Sequence, residues 1–178
     1  MASDPFTPNA DELAANNATY VAEFDAADLD LAPARRLAVV PCMHARMDVY
    51  KILGLANGDA HILRNGGGVV TDDVIRSLCL SQRLLGTREI ILIHHTRCGL
   101  QSVDEASFKA ELEAEVGVKP AWAVEGFADP HDDVRQSIQR LVLTPFLPHK
   151  DHISGFVYDI DDGRLLPVET DGSQGSHG

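Results

Sequence analysis

Residues Glu89 to His95, EIILIHH, form an apolar run that is too short for a useful helix and is bounded by Gly86 and Gly99. A run of this kind suits a strand buried on both faces, and such strands belong to parallel sheets covered by helices. The segment is therefore expected at the centre of a sheet, and the rest of the chain has to supply its neighbours. Arg36 to Pro41, RLAVVP, is a second short apolar strand, with Cys42 directly after it. His61 to Leu63, Ile153 to Tyr158 and Arg164 to Val168 read as further strands. Between them lie helical stretches: Asp48 to Gly54, Thr71 to Leu85, Asp104 to Val116 and Asp132 to Leu143. In the second of these Val74, Ile75, Leu78 and Leu85 fall at helical spacing, and Gly86 is the stop. Strands alternating with helices imply an α/β fold, with a central, mostly parallel β-sheet of four to five strands flanked by helices.

A chain of 178 residues fits one domain with a sizeable core. Asp11 to Phe24 is a helical stretch carrying Leu13, Ala14, Tyr20, Val21 and Phe24, and an acidic linker follows it as far as Pro33. Residues 1–33 are thus an N-terminal helical arm, 34–169 the domain proper, and 170–178, polar and rich in glycine and serine, a disordered tail. No apolar run approaches the roughly 18 residues needed to cross a bilayer, and the first residues have neither a basic nor an apolar signal region. A cytoplasmic protein that does not bind membranes is expected. The net charge of −12, with lysines and arginines scattered singly, argues against nucleic acid as a partner. Three cysteines cannot all pair within one chain, and in a reducing compartment they serve as ligands, nucleophiles or core residues.

Cys42 ends the first strand, and His95 and Cys98 stand as H-x-x-C where the central strand ends. Adjacent parallel strands can bring such ends together, at the edge where α/β folds place ligands. Two thiolates and one imidazole are a known catalytic zinc set that leaves the fourth position for water. The same residues taken singly also suit small buried core positions. Gly66, Gly67 and Gly68, after Asn65, let backbone approach something closely. Cys79, inside an apolar helix, reads as core. His94 alternates with His95 and so points to the opposite face of the sheet, as a packing residue. His131, His149 and His152 read as solvated, and the acidic runs Glu111 to Glu115 and Asp129 to Asp133 as solvated helix faces.

The order Cys42-Met43-His44-Ala45-Arg46, then Arg64-Asn65-Gly66-Gly67, then His95-Thr96-Arg97-Cys98-Gly99 resembles the β-class carbonic anhydrases at all three active-site segments. TDDVIRSLCLSQRLLGTREIILIHH is similar to the small actinobacterial branch of that family. The likeness covers about Ala38 to Asp159. It implies Cys42, His95 and Cys98 as the ligands of one Zn2+ per subunit and Arg46 as the arginine of the family's Asp/Arg pair. It implies substrate or oxyanion contacts at Asn65, Gly66 and Gly67. It also implies reversible hydration of carbon dioxide by zinc-bound hydroxide, and a homodimer or higher homo-oligomer in which the N-terminal helix reaches over the partner. Two positions depart from the pattern. His44 stands where the family's C-x-D-x-R has Asp, and Arg97 where H-T-D-C-G has Asp. His44 leaves three roles open: acceptor for the catalytic water, proton carrier, or fourth ligand closing the site. The departures motivate two further readings, a zinc hydrolase of the same fold acting on carbonyl sulfide, carbon disulfide or a related small electrophile, and a weakly catalytic zinc-binding homologue closed by His44. Arg97 is either a surface arginine or a helper to the developing anion.

Overall fold

The structure is a computed structural model and describes residues 8–170. It divides after Asp30 into an N-terminal unit and a larger one. The first holds helix α1 (Ala10–Ala22), which has no side-chain cap and no buried residue. Leu13, Tyr20, Val21 and Phe24 are all exposed, and the rings of Tyr20 and Phe24 lie 5.7 Å apart along one side. The tail expected from Thr170 onward lies, beyond Thr170 itself, outside the described residues.

The larger unit is built on a sheet of five strands: β1 (Leu37–Pro41), β2 (Ala60–Ile62), β3 (Glu89–His95), β4 (Ile153–Tyr158) and β5 (Leu165–Pro167). Their order is β2-β1-β3-β4-β5, parallel except for β5, which turns back antiparallel on β4. The expected α/β architecture is the observed one, and EIILIHH is its middle strand. The helices are α2 (Val49–Leu53), α3 (Asp72–Leu85), α4 (Glu105–Val116) and α5 (Pro130–Leu143). Thr71 caps α3 by accepting from the Val74 N–H, and Gly86 ends it in the left-handed conformation that glycine adopts freely. Among the described residues no helix is long and apolar enough to cross a membrane.

Strand alternation divides the core between the two faces of the sheet. Ala38, Val40, Ile90, Leu92 and Val157 pack with Val74 and Leu78 of α3 and Val134, Ile138 and Leu141 of α5. Leu37, Val39 and Ile93 pack on the other face with Met47 and Val49. Gly155 lies under α5, where an added Cβ would stand 2.2 Å from a Val134 methyl, so the helix seats directly on the β4 backbone. Two expectations are corrected at α5. The helix starts at Pro130, not Asp132, because Asp129 accepts from the N–H groups of His131 and Asp132 and proline is tolerated in the first turn. The run Asp129 to Asp133 is then not simply a solvated face: Asp129 is the cap, and Asp133 reaches into the core to His94.

Candidate metal centre

Register places the site. Pro41 pairs with Ile93 across β1 and β3, so the residues after each strand emerge side by side at the carboxyl edge. The Cys42 N–H donates to the Ile93 carbonyl at 3.1 Å, and Cys42 bridges in parallel to Asn65. The ligand atoms of Cys42, His95 and Cys98 all lie within 4.8 Å of one another, and all three residues are buried. They line a cavity of about 360 Å³ together with Met43, His44, Gly66, Gly67, Arg97 and Leu100. Two sulfurs and an imidazole nitrogen at this spacing can hold a metal ion.

Each ligand is oriented by a specific contact. His95 Nδ1 donates to the Thr96 carbonyl at 2.9 Å, which leaves the Nε2 lone pair as the donor atom. The Cys98 N–H donates to Gln101 Oε1 at 2.8 Å, and the Gln101 amide donates in turn to the Ala128 carbonyl. Arg64 gathers the Cys42 loop, its guanidinium donating to the carbonyls of Cys42, His44 and Met47. Gly68 is required at the junction: its φ is +75°, and a Cβ would stand 2.7 Å from the Cys42 nitrogen and 2.9 Å from the Ile93 oxygen.

Two thiols this close oppose each other's ionisation. The hydrogen bond with Cys98 pulls the Cys42 thiol down to about 3 against the opposing effect of burial, with His95 assisting. The same contact and burial push the Cys98 thiol up, and the charge of Asp133 adds to the push. Burial alone would lower His95, but its hydrogen bonds with Cys42 and the Thr96 carbonyl outweigh that and raise it. The trio holds a half-neutralised thiol pair beside an imidazole, a surrounding that a divalent cation completes.

His44 and Arg46 are joined. The Arg46 Nε–H donates to His44 Nε2 at 3.2 Å, so that nitrogen is the acceptor and the remaining ring proton sits on Nδ1. The His44 ring stacks on His95 with centroids 4.4 Å apart. Burial, then the neighbouring His95 and Arg46, lower its pKa and keep it neutral. In this arrangement neither ring nitrogen has a free lone pair for a metal or for an incoming water proton. Arg46 itself lines an adjacent hollow with Tyr50, Ile62 and Arg64, and borders the cavity through His44.

Asn65 is not among the residues lining the cavity. Its amide donates to the Val69 carbonyl at 2.9 Å, and Oδ1 is buried without a partner among the described residues. Its backbone carbonyl accepts from Met43 and Gly68, so it shapes the glycine turn. Gly66 and Gly67 do line the cavity, and neither N–H has an acceptor among the described residues. Arg97 lines the cavity too, in a left-handed conformation at φ +55°, with its guanidinium on the Asp161 carboxylate. Cys79 is partly buried and packs against the core as expected. Arg64 enters the sequence reading only within the segment Arg64-Asn65-Gly66-Gly67, Asp133 only within an acidic run, and Gln101 not at all. Arg64 adjoins the glycine cluster, which is a local signal, whereas Asp133 meets His94 across 39 residues and has none.

Comparison with known proteins gives concordant findings. The family model described as carbonic anhydrase matches residues 37–124. Beta-carbonic anhydrase 1 of Mycobacterium tuberculosis is 48% identical over 158 residues, covering 89% of this chain and 96% of that protein. A carbon disulfide hydrolase of Acidithiobacillus thiooxidans is 33% identical, over 75% of this chain and 77% of its own length. Among solved structures, a carbonic anhydrase from Streptococcus mutans superposes with a TM-score of 0.85 at 43% identity, covering 93% of this chain and all of that one.

Proposed function

The chain belongs to the carbonic anhydrase family, in its β class, and on that premise we propose that it hydrates carbon dioxide reversibly to bicarbonate and a proton as a zinc-dependent lyase. The observation that carries the reading is the clustering of the Cys42, His95 and Cys98 ligand atoms within 4.8 Å at the wall of a cavity. Two sulfurs and one imidazole suit zinc, which prefers soft donors and tetrahedral geometry. Cys42, His95 and Cys98 hold it, one ion per subunit. When bound, zinc acidifies a water and supplies the nucleophile for the substrate carbon.

The chain's own residues do the remaining work. Thr96 and Gln101 hold His95 and Cys98 in orientation, and Arg64 holds the loop that carries Cys42. The N–H groups of Gly66 and Gly67 and the Nδ1–H of His44 donate to the oxygens on which negative charge develops. Arg46 positions His44 and fixes its tautomer. Arg97, at the cavity wall, adds positive charge that favours the bicarbonate product, in part offset by Asp161. In this role His44 is a donor and not the acceptor that the family's aspartate is, and it is not one of the residues that would hold the ion.

Zinc analysis and stopped-flow carbon dioxide hydration test the reading, with wild type beside His44→Asp. The wild type is expected to hold one zinc and to turn over, with His44→Asp about tenfold faster because a carboxylate restores a proton acceptor. Zinc-loaded wild type and variant that both run at the uncatalysed rate would overturn it. The likeness to carbon disulfide hydrolases keeps a second substrate class in view, and sulfide release from carbon disulfide or carbonyl sulfide, measured in parallel, decides between them.

We infer further that the protein is cytoplasmic, consistent with its three free cysteines, and that it works as a homodimer or higher homo-oligomer. The exposed apolar side chains Leu13, Tyr20 and Val21 of α1, with Phe24 just after it, find cover on a second copy. Removing Met1 to Leu31 should then weaken the dimer at least tenfold in sedimentation experiments. An equally tight dimer would refute that role.

A further inference from the structure

Behind the metal ligands, on the opposite face of β3, lies a connected set of contacts that the proposed reaction does not use. His94 is fully buried, and its Nε2–H donates to Asp133 Oδ2 at 2.6 Å. Nδ1 has no partner among the described residues. The ring packs on Phe127, centroids 5.4 Å apart, and Phe127 in turn borders the Gly67 turn of the cavity wall. The Phe127 N–H donates to the Leu100 carbonyl, two residues beyond Cys98. Gln101 completes the circuit, since its side chain joins the Cys98 N–H to the Ala128 carbonyl, one residue before the cap of α5.

A fully buried imidazole paired with a largely covered carboxylate costs desolvation, which an apolar pair of the same size would not. Packing alone therefore does not account for them. Their position does: they tie the first turns of α5 to the last residue before the ligand His95, while Gln101 and Phe127 tie the segment entering α5 to the loop that carries Cys98. The distance between His95 and Cys98 is thereby set from behind by one helix. We propose that the His94–Asp133 pair and Gln101 are positioning residues through which α5 holds Cys98 against His95, and that they govern metal affinity. Neither residue of the pair is among those lining the cavity; they meet the site through His95, the next residue in the strand, and through Cys98, which feels the Asp133 charge.

The inference rests on the reading of Cys42, His95 and Cys98 as a zinc site, and its test separates the two. Metal-free wild type, Asp133→Ala, Asp133→Asn and Gln101→Ala are titrated with zinc in competition with a chromophoric chelator, and with cobalt(II) to record the thiolate-to-metal charge-transfer band. Asp133→Ala and Gln101→Ala are expected to lose about 10- to 100-fold in zinc affinity, with a displaced or weakened band. Asp133→Asn, which keeps an acceptor for His94, should recover most of the affinity. Gln101 is only partly buried, so Gln101→Ala keeps the test decisive if Asp133→Ala does not fold. Wild-type affinity and an unchanged band in Gln101→Ala and in whichever Asp133 variants fold would overturn the proposal while leaving the zinc site standing. A wild type that binds neither metal would overturn both.

Discussion

His94 and His95 leave the same strand one residue apart and serve opposite sides of the sheet. His95 faces the cavity, its Nδ1 fixed by a neighbouring carbonyl and its Nε2 left beside two thiols. His94 faces α5, is fully buried, and among the described residues spends its one side-chain hydrogen bond on a carboxylate 39 residues away. Both are held by partners that leave one nitrogen free, but only one of those nitrogens has reacting company. The chemistry of a histidine here is decided by what the opposite face brings to it, and the strand supplies both faces with equal indifference.

The largest effect should come from separating the two. His95→Ala is expected to abolish zinc binding and cut hydration by roughly a thousandfold or more, with a metal-free stability loss smaller than that of His94→Leu because its side chain borders a cavity. His94→Leu should leave zinc binding measurable but lower stability by about 2–4 kcal/mol, because the Asp133 carboxylate loses its partner. Denaturant unfolding beside zinc content checks the pair, and a reversal of the two phenotypes would break the contrast drawn between the faces.

Gly68→Ala tests the backbone junction that both strand ends share. The added Cβ meets main-chain atoms of Pro41, Cys42 and Ile93 and φ is +75°, so a loss of about 3 kcal/mol is expected in the same unfolding assay. A variant as stable as wild type would mean that the turn can relax without disturbing Cys42.

A third histidine sharpens the comparison by pH. His61 hydrogen-bonds Ser81 at 2.8 Å, and burial lowers its pKa below the ordinary 6.5. The unfolded chain then binds the proton more readily than the folded one. The neutral His61 contribution is complete above the unfolded value and is lost as pH falls below about 6.5. His61→Gln should flatten the fall in stability between pH 7 and pH 5, and an unchanged slope would show that other groups set it.

The smallest effect is expected at Arg97. An L-residue at φ +55° is strained, and its ion pair with Asp161 is exposed. Arg97→Gly should stabilise the fold by about 0.5–1 kcal/mol, since the relief of strain exceeds the worth of a surface pair. Thermal unfolding reads it, and a destabilised variant would mean that the pair does more than geometry indicates.

The sequence by itself determined the parts that depend on neighbours in the chain. EIILIHH reads as a buried middle strand, because its four consecutive apolar residues Ile90 to Ile93 need cover on both faces. The alternation of short apolar runs with capped helical segments then implied a parallel sheet, and the resemblance of three short motifs to the β-class carbonic anhydrases pointed to Cys42, His95 and Cys98 as one set. Boundaries were less legible: α5 begins two residues early because a cap and a proline outweigh the apolar spacing.

Only the tertiary structure decided how the remaining valences are spent. The approach of Arg46 commits the acceptor nitrogen of His44, and nothing in C-x-H-x-R says that it must. Asn65 turns its amide to Val69 and away from the cavity. Asp133, one acid among several in a polar run, becomes the partner of a buried histidine. Patterning is written in spacing, which a strand or a helix converts directly into a face. Hydrogen bonds between distant elements depend on distances of tenths of an ångström that exist only after the core has closed, and these distances separate a ligand from its neighbour.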